Sequence, residues 1–220
     1  ALYIPIDTTP KTGSTYCANY DLRFERPCDF VIYIHGLEDS RLVVQERYEV
    51  MRAVFSQETE AFDPYIDPVD ADTPVFTNIE LVLQLFEEDR DLLDDDSITY
   101  ESYETGALRY GNANPESDDF DSLADFMFTD NGIELRIPWQ LLNFANPSEM
   151  LIHDDYYENY GVEYIHIDEM YVGFKWGGEQ DYRIPMAAFP LKGWGKSVTC
   201  HERLKESYYI LQEYWAQRDG

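Results

Sequence analysis

Two kinds of residue in this 220-residue chain have types and spacing suited to chemistry: tryptophans flanked by glycine, and acidic residues bunched at turns. Trp176 lies in Phe174-Lys175-Trp176-Gly177-Gly178, and Trp194 lies in Gly193-Trp194-Gly195. Glycine beside a tryptophan leaves the indole face uncovered and lets a ligand approach closely. Carbohydrate is held by flat aromatic faces against sugar C–H surfaces, with carboxylates and amides bonding the hydroxyls. Tyr156, Tyr157 and the amide of Asn112 join the two tryptophans as the expected ligand contacts. The plainer reading of a loop tryptophan is closure of the end of a sandwich. For Trp139 and Trp215 packing is the expectation.

Asp118-Asp119-Phe120-Asp121 and His153-Asp154-Asp155 concentrate hard oxygen donors near turns, which suits calcium. A structural calcium ion on Asp118, Asp119, Asp121, Asp154 and Asp155 is the metal reading, although neither group follows an EF-hand spacing. The competing reading is that these acids cap turns and loops. His35, His153, His166 and His201 form no tight zinc pair. There is no Gly-x-Ser-x-Gly elbow, P-loop, dinucleotide fingerprint or HExxH motif, so a non-catalytic domain is expected.

Composition narrows the partners. The formal net charge of −28 argues against nucleic acid, which needs basic clusters, and against anionic lipid surfaces. Acidity on this scale fits solubility, divalent cations or an uncharged ligand such as a glycan. No apolar run approaches the length that spans a bilayer, so direct membrane insertion of this segment is not expected. The chain opens at Ala1 rather than Met, from which a mature or excised piece of a larger protein is expected. Cys17, Cys28 and Cys200 are too few for a disulfide scaffold and are read as unpaired or buried thiols, with Cys17 and Cys28 able to pair if their strands adjoin.

The elements that must position these residues read mostly as strands. Leu2 to Ile6 opens the chain, and Asp7 to Thr15 is a loop. Phe30, Ile32 and Ile34 face one way, with Val31, Tyr33 and His35 on the other. Gly36 to Ser40 turns and Arg41 to Gln45 returns as a hairpin. Ile79 to Leu85 alternates as a strand, while Glu87 to Asp96 is a like-charge loop. Asp63 to Pro74 is a surface loop, and Glu49 to Phe55 fits strand or helix. Leu108 ends a short strand before the turn cluster Gly111 to Pro115, and Tyr164 to Phe174 and Tyr182 to Pro185 supply further strands. Thr199 and Glu202 form a capping box, and Leu204, Tyr208, Leu211 and Trp215 line one helix face, predicting an amphipathic helix over 199–217 packed on the sheets. A docking helix for a neighbouring domain is the alternative. No linker or internal repeat divides the chain, so 1–220 reads as one domain.

The most telling block is Asp125 to Phe144. Phe126 and Phe128 alternate with other residues, Asp130-Asn131-Gly132 supplies a turn, and Ile133, Leu135 and Ile137 alternate with Glu134 and Arg136. This is a hairpin pattern. Pro138 ends the ladder, and Trp139 to Leu142 reads as a helical turn folding back over the strand end.

A strand ending in Glu-Leu-Arg-Ile-Pro-Trp, followed by Gln-Leu-Leu, resembles the hallmark of DOMON-like sandwiches, which include the family-nine carbohydrate-binding modules. The wider block from Gly106 to Gly173 resembles cell-surface proteins of Gram-positive bacteria. Its carriers are Leu108-Arg109-Tyr110-Gly111-Asn112, Ser122-Leu123-Ala124-Asp125-Phe126 and Ile152-His153-Asp154-Asp155-Tyr156-Tyr157. The resemblance implies a mostly β, two-sheet antiparallel β-sandwich of jelly-roll type, displayed outside the cell and contacting a glycan or a cell-envelope partner. In the family-nine modules a tryptophan pair clamps the sugar; no such pair maps here residue by residue. Some DOMON domains hold haem through a Met and a His, but spacing singles out no pair among Met127, Met150, Met170 and His166. The alternative to a carbohydrate-binding-like module is a structural or protein-interaction domain with no small-molecule ligand.

Overall fold

The computed structural model of the chain describes residues 1–51, 69–85, 99–159, 163–178, 182–195 and 206–216. In chain order the strands begin with β1 (Leu2–Asp7), β2 (Ser14–Cys17), β3 (Leu22–Cys28), β4 (Phe30–Ile34) and β5 (Arg41–Gln45). After them come β6 (Phe76–Asn78), β7 (Glu80–Leu85), β8 (Thr99–Glu104), β9 (Phe126–Thr129) and β10 (Gly132–Leu135). Next are β11 (Phe144–Asn146), β12 (Leu151–His153), the short helix α1 (Tyr156–Asn159) and β13 (Tyr164–His166). Last are β14 (Glu169–Gly173), β15 (Lys175–Trp176), β16 (Arg183–Ile184), β17 (Met186–Pro190) and the helix α2 (Glu206–Ala216). The protein is mostly β, as its sequence predicts, and among the described strands the pairs are antiparallel except for β16 on β3.

A central sheet runs β17-β14-β1-β4-β5-β6, and β15 adds to the same edge of β1 as β14. Its strand β4 is apolar on both faces, as the alternation predicts. Phe30, Ile32 and Ile34 enter a core with Ile6, Leu42, Val44, Phe126, Phe144 and Ile152. Val31 enters a second core with Cys17, Phe24, Cys28, Val43, Phe76 and Ile184. A strand buried on both faces needs cover on both, because each exposed large apolar side chain forgoes about 1.5–3 kcal/mol of burial. Residues of β11, β12 and the β9–β10 hairpin cover the first face, and β2, β3 and β16 cover the second.

The hairpin at 126–135 has the predicted arms. Its two-residue turn is Asp130-Asn131, with Gly132 already in the ladder opposite Thr129. After Pro138 the chain makes a 3-10 turn, Trp139–Leu142, and reverses at Asn143, whose φ of 56° is left-handed. Asparagine is among the residues that visit that conformation, and here a distant partner holds its amide: Nδ2 donates to the Tyr48 carbonyl at 2.9 Å. Trp139 packs edge-on to Phe144 at 4.7 Å, the packing role expected of it.

The loop after β1 is held by one buried carboxylate. Oδ2 of Asp29 accepts from the Thr8 N–H at 2.7 Å, the Thr9 N–H at 2.9 Å and the Thr8 hydroxyl at 3.2 Å, while Oδ1 accepts from the Thr12 hydroxyl at 3.2 Å. Gly13 (φ +111°) closes the loop against the same carboxylate, where a Cβ would sit 3.1 Å from Oδ1.

The C-terminal helix differs from expectation. Its described residues are Glu206–Ala216, and from Tyr209 onward every side chain is exposed. Leu211 and Trp215 are 54% and 65% exposed, so the predicted seam is not buried against the sheets in this stretch. Thr199, Glu202 and Leu204 lie outside the described residues, as do the acidic run at 87–96, Cys200 and the stretches 52–55 and 63–68.

Candidate functional site: a tyrosine-walled pocket with a buried lysine

The cross-strand register assembles this site. On the face of the second core, Lys175 of β15 lies opposite Tyr3 of β1, Tyr3 opposite Tyr33 of β4, and Tyr33 opposite Arg41 of β5. Directly opposed residues in an antiparallel pair share a face, so these four side chains form one row across the sheet. Tyr3 and Tyr33 stack with ring centroids 5.3 Å apart, and His35 continues the stack 5.5 Å from Tyr33.

A third ring comes from the covering layer. Tyr20 sits in the turn between β2 and β3, 5.0 Å from the Tyr33 ring and 5.5 Å from Tyr3. That turn is tied down by Ala18, whose N–H donates to the Pro74 carbonyl at 2.8 Å, and by Asn19, whose side-chain oxygen accepts from the Phe76 N–H at 3.0 Å. Burial pushes the Tyr20 phenol up to about 12 and raises that of Tyr3, so both stay neutral hydrogen-bond donors across physiological pH. The hydroxyls of Tyr3, Tyr20 and Tyr33 bond to no described residue.

Tyr3, Tyr20, Asp21, Leu22, Lys175 and the Gly177-Gly178 turn line a pocket of about 290 Å³. Lys175 is only 8% exposed. Its ammonium lies 5.1 Å from the centre of the Tyr182 ring and makes no ion pair among the described residues. In Phe174-Lys175-Trp176 the strand alternation therefore puts the lysine inward and both aromatics outward, Phe174 at 66% and Trp176 at 50% exposure. Sequence reasoning picked the tryptophan and passed over the lysine. The missing signal was the register against β1, which no local pattern contains.

The expected ligand contacts fall elsewhere. Trp176 opposes Leu2, whose side chain belongs to the first core, so its indole is on the other face from the pocket. Trp194 is also exposed, and its N–H donates to the Ser148 carbonyl at 3.0 Å. That places it past the Asp7 end of β1, because Leu191 bonds Asp168 beside β14 and Ile167 bonds Met150. Leu2 and Asp7 are separated by about 17 Å of extended strand. Trp176 and Trp194 are therefore not brought together as a clamp.

Both acidic groups are engaged by the protein's own donors. In the 109–125 loop, Asn112 Nδ2 donates to Asp119 Oδ1 and to Ser117 Oγ, each at 2.9 Å, and Ser117 also bonds Asp119. Arg109 Nε donates to Asp121 Oδ2 at 2.7 Å, and the Leu123 N–H donates to Asp121 Oδ1 at 3.0 Å. Those hydrogen bonds hold the Asp119 carboxyl below the ordinary range, led by Ser117, and the Asp121 carboxyl likewise, led by the Leu123 N–H. Asn112 thus knits the loop from within, and Asp118 is an exposed loop residue.

Asp154 and Asp155 are buried, at 4% and 3% exposure, beside two cations. Lys11 Nζ is 2.7 Å from Asp154 Oδ2, and Arg47 grips Asp155 through Nε at 3.1 Å and Nη2 at 2.8 Å. Tyr157 lies under the Arg47 guanidinium at 4.5 Å, and Tyr156 is buried against Tyr48 at 6.1 Å. Among the described residues no three His, Cys, Asp or Glu side chains come together as a metal site.

Cys17 and Cys28 lie on the adjoining strands β2 and β3 as free, buried thiols. No family model matches the chain, and neither a curated protein nor a solved structure matches it.

Proposed function

We propose that this chain is a non-catalytic saccharide-binding module of DOMON-like kind, carried on a cell-surface protein. The observation that supports this is the pocket beside Tyr3 and Tyr20: stacked phenol rings, hydroxyls that bond to no described residue, and a glycine turn at the rim. Aromatic faces supply the apolar contact, and the phenol hydroxyls supply the orienting hydrogen bonds. Tyr33 stiffens the platform from behind. The acidic exterior is compatible with a ligand that carries no phosphate polyanion.

Glycan-array binding by the wild type and two variants tests the reading. Tyr20→Ala removes the ring contributed by the covering layer and weakens binding about tenfold, the scale of one aromatic contact. Trp176→Ala, on the opposite face, leaves it unchanged. An array with no bound glycan would sink the proposal. So would loss of binding in Trp176→Ala alone.

A second reading is an interaction domain, and the helix α2 favours it. Tyr209, Ile210, Leu211, Tyr214 and Trp215 are all exposed there. It predicts a mass above that of the 25.8 kDa monomer by light scattering, reverting to monomer when Leu211 and Trp215 are made polar.

A further inference from the structure

We infer that the pocket selects saccharides bearing an anionic group, with the Lys175 ammonium as the group that reads the charge. The inference rests on the saccharide reading and adds the chemical class of its ligand. Lys175 is 8% exposed overall, its stem enclosed and its ammonium at the pocket wall, where a lysine ordinarily sets its charge against a carboxylate. The other buried or half-buried cations of the described chain obey that rule. Lys11 has Asp154, Arg26 has Asp7 at 2.7 Å, Arg41 has Asp39 at 2.9 Å, and Arg47 has Asp155.

Among the described residues Lys175 has the Tyr182 ring and no carboxylate, and it lines the pocket. Asp21 lines the same pocket but does not pair with it, and its carboxylate accepts from the Tyr16 hydroxyl at 3.0 Å. In a chain with 44 acidic and 16 basic residues, a pocket-lining lysine that pairs with no carboxylate among the described residues stands out. An anion drawn there meets an ammonium in low dielectric, while the phenol rings pack the sugar that carries it. Lysine is a point charge rather than a planar fork, so a uronate carboxylate and a sugar phosphate share the required chemistry.

Titration calorimetry with tetragalacturonate, glucose 6-phosphate and neutral cellotetraose tests the inference. The acidic ligands bind the wild type more tightly than the neutral one, and Lys175→Met removes about tenfold of that affinity, the size of one charge-assisted hydrogen bond. Lys175→Arg keeps most of it. Whichever of the uronate and the sugar phosphate binds more tightly identifies the source of the anion. Should Lys175→Met not fold, judged by its melting curve, Lys175→Gln is compared with the wild type at one fixed ionic strength, and an undiminished preference for the acidic ligands overturns the inference. Equal binding of acidic and neutral tetrasaccharides overturns the anionic inference and leaves the saccharide reading standing. No binding of any of the three, together with a blank glycan array, removes both.

Discussion

Asp29 is the residue on which the loop after β1 depends, and its environment makes it titrate in an unusual place. Burial, joined by the nearby Asp7 carboxylate, pushes its carboxyl up to about 7. An unfolded aspartate titrates near 3.9. Between about 4 and 7 the folded chain therefore keeps a proton that the unfolded chain has lost. The stability this group contributes is fully present below the unfolded value and is lost as pH rises through the folded one. Asp29→Asn is expected to abolish that component, since an amide oxygen can take the Oδ2 position and serve Thr8 and Thr9. Urea denaturation of both proteins from about pH 4.5 to 8 checks it: the gap between them should change across this window, and parallel curves would refute the assignment. At the same scale, burial raises the thiol of Cys17 to about 11 and that of Cys28 as well. In a Cys200→Ser background neither thiol should react with Ellman's reagent until the chain is denatured, because the thiolate is the reactive species.

Among the elements, the junction of α1 with the 3-10 turn Glu46–Tyr48 carries a two-point ion pair. Arg47 holds Asp155 by two nitrogens, and its Nη1 donates to the Val69 carbonyl at 2.7 Å. Removing one partner of a buried pair leaves an uncompensated charge, so Arg47→Met should cost about 3–5 kcal/mol in chemical denaturation. Adding Asp155→Asn should recover part of that loss. A cost no larger than that of an exposed ion pair, about 1 kcal/mol or less, would show that water compensates Asp155. The same junction shows what the acidic turn does within the fold. His153-Asp154-Asp155 has the composition of a calcium loop, but its counter-charges, Lys11 and Arg47, are more than 100 residues away in the chain.

For the whole molecule, charge dominates. With a formal net charge of −28, the compact state repels itself, and added salt relieves that repulsion. The melting midpoint should rise as sodium chloride increases from about 10 to 150 mM, where screening shortens to roughly 8 Å. Calcium should raise the midpoint no further than magnesium at equal ionic strength, because Asp119, Asp121, Asp154 and Asp155 already have protein partners. A calcium-specific increase would reopen the metal reading.

The sequence by itself determined the local architecture. The alternation in Phe30 to Ile34 and in Phe126 to Leu135, the stop at Pro138 and the turn at Trp139 to Leu142 all follow from interactions within a few residues. Strand period, proline's missing donor and turn chemistry need no distant partner. Tertiary structure alone decided the site. Lys175 faces Tyr3 because β15 pairs with β1 in one register, and a shift of one residue would have put Trp176 there instead. The same holds for Asp154 and Asp155, whose charge is matched by cations brought from the other end of the chain. Side-chain identity names the chemistry available to a protein, but which groups meet, and which are already satisfied, is set by long-range pairing.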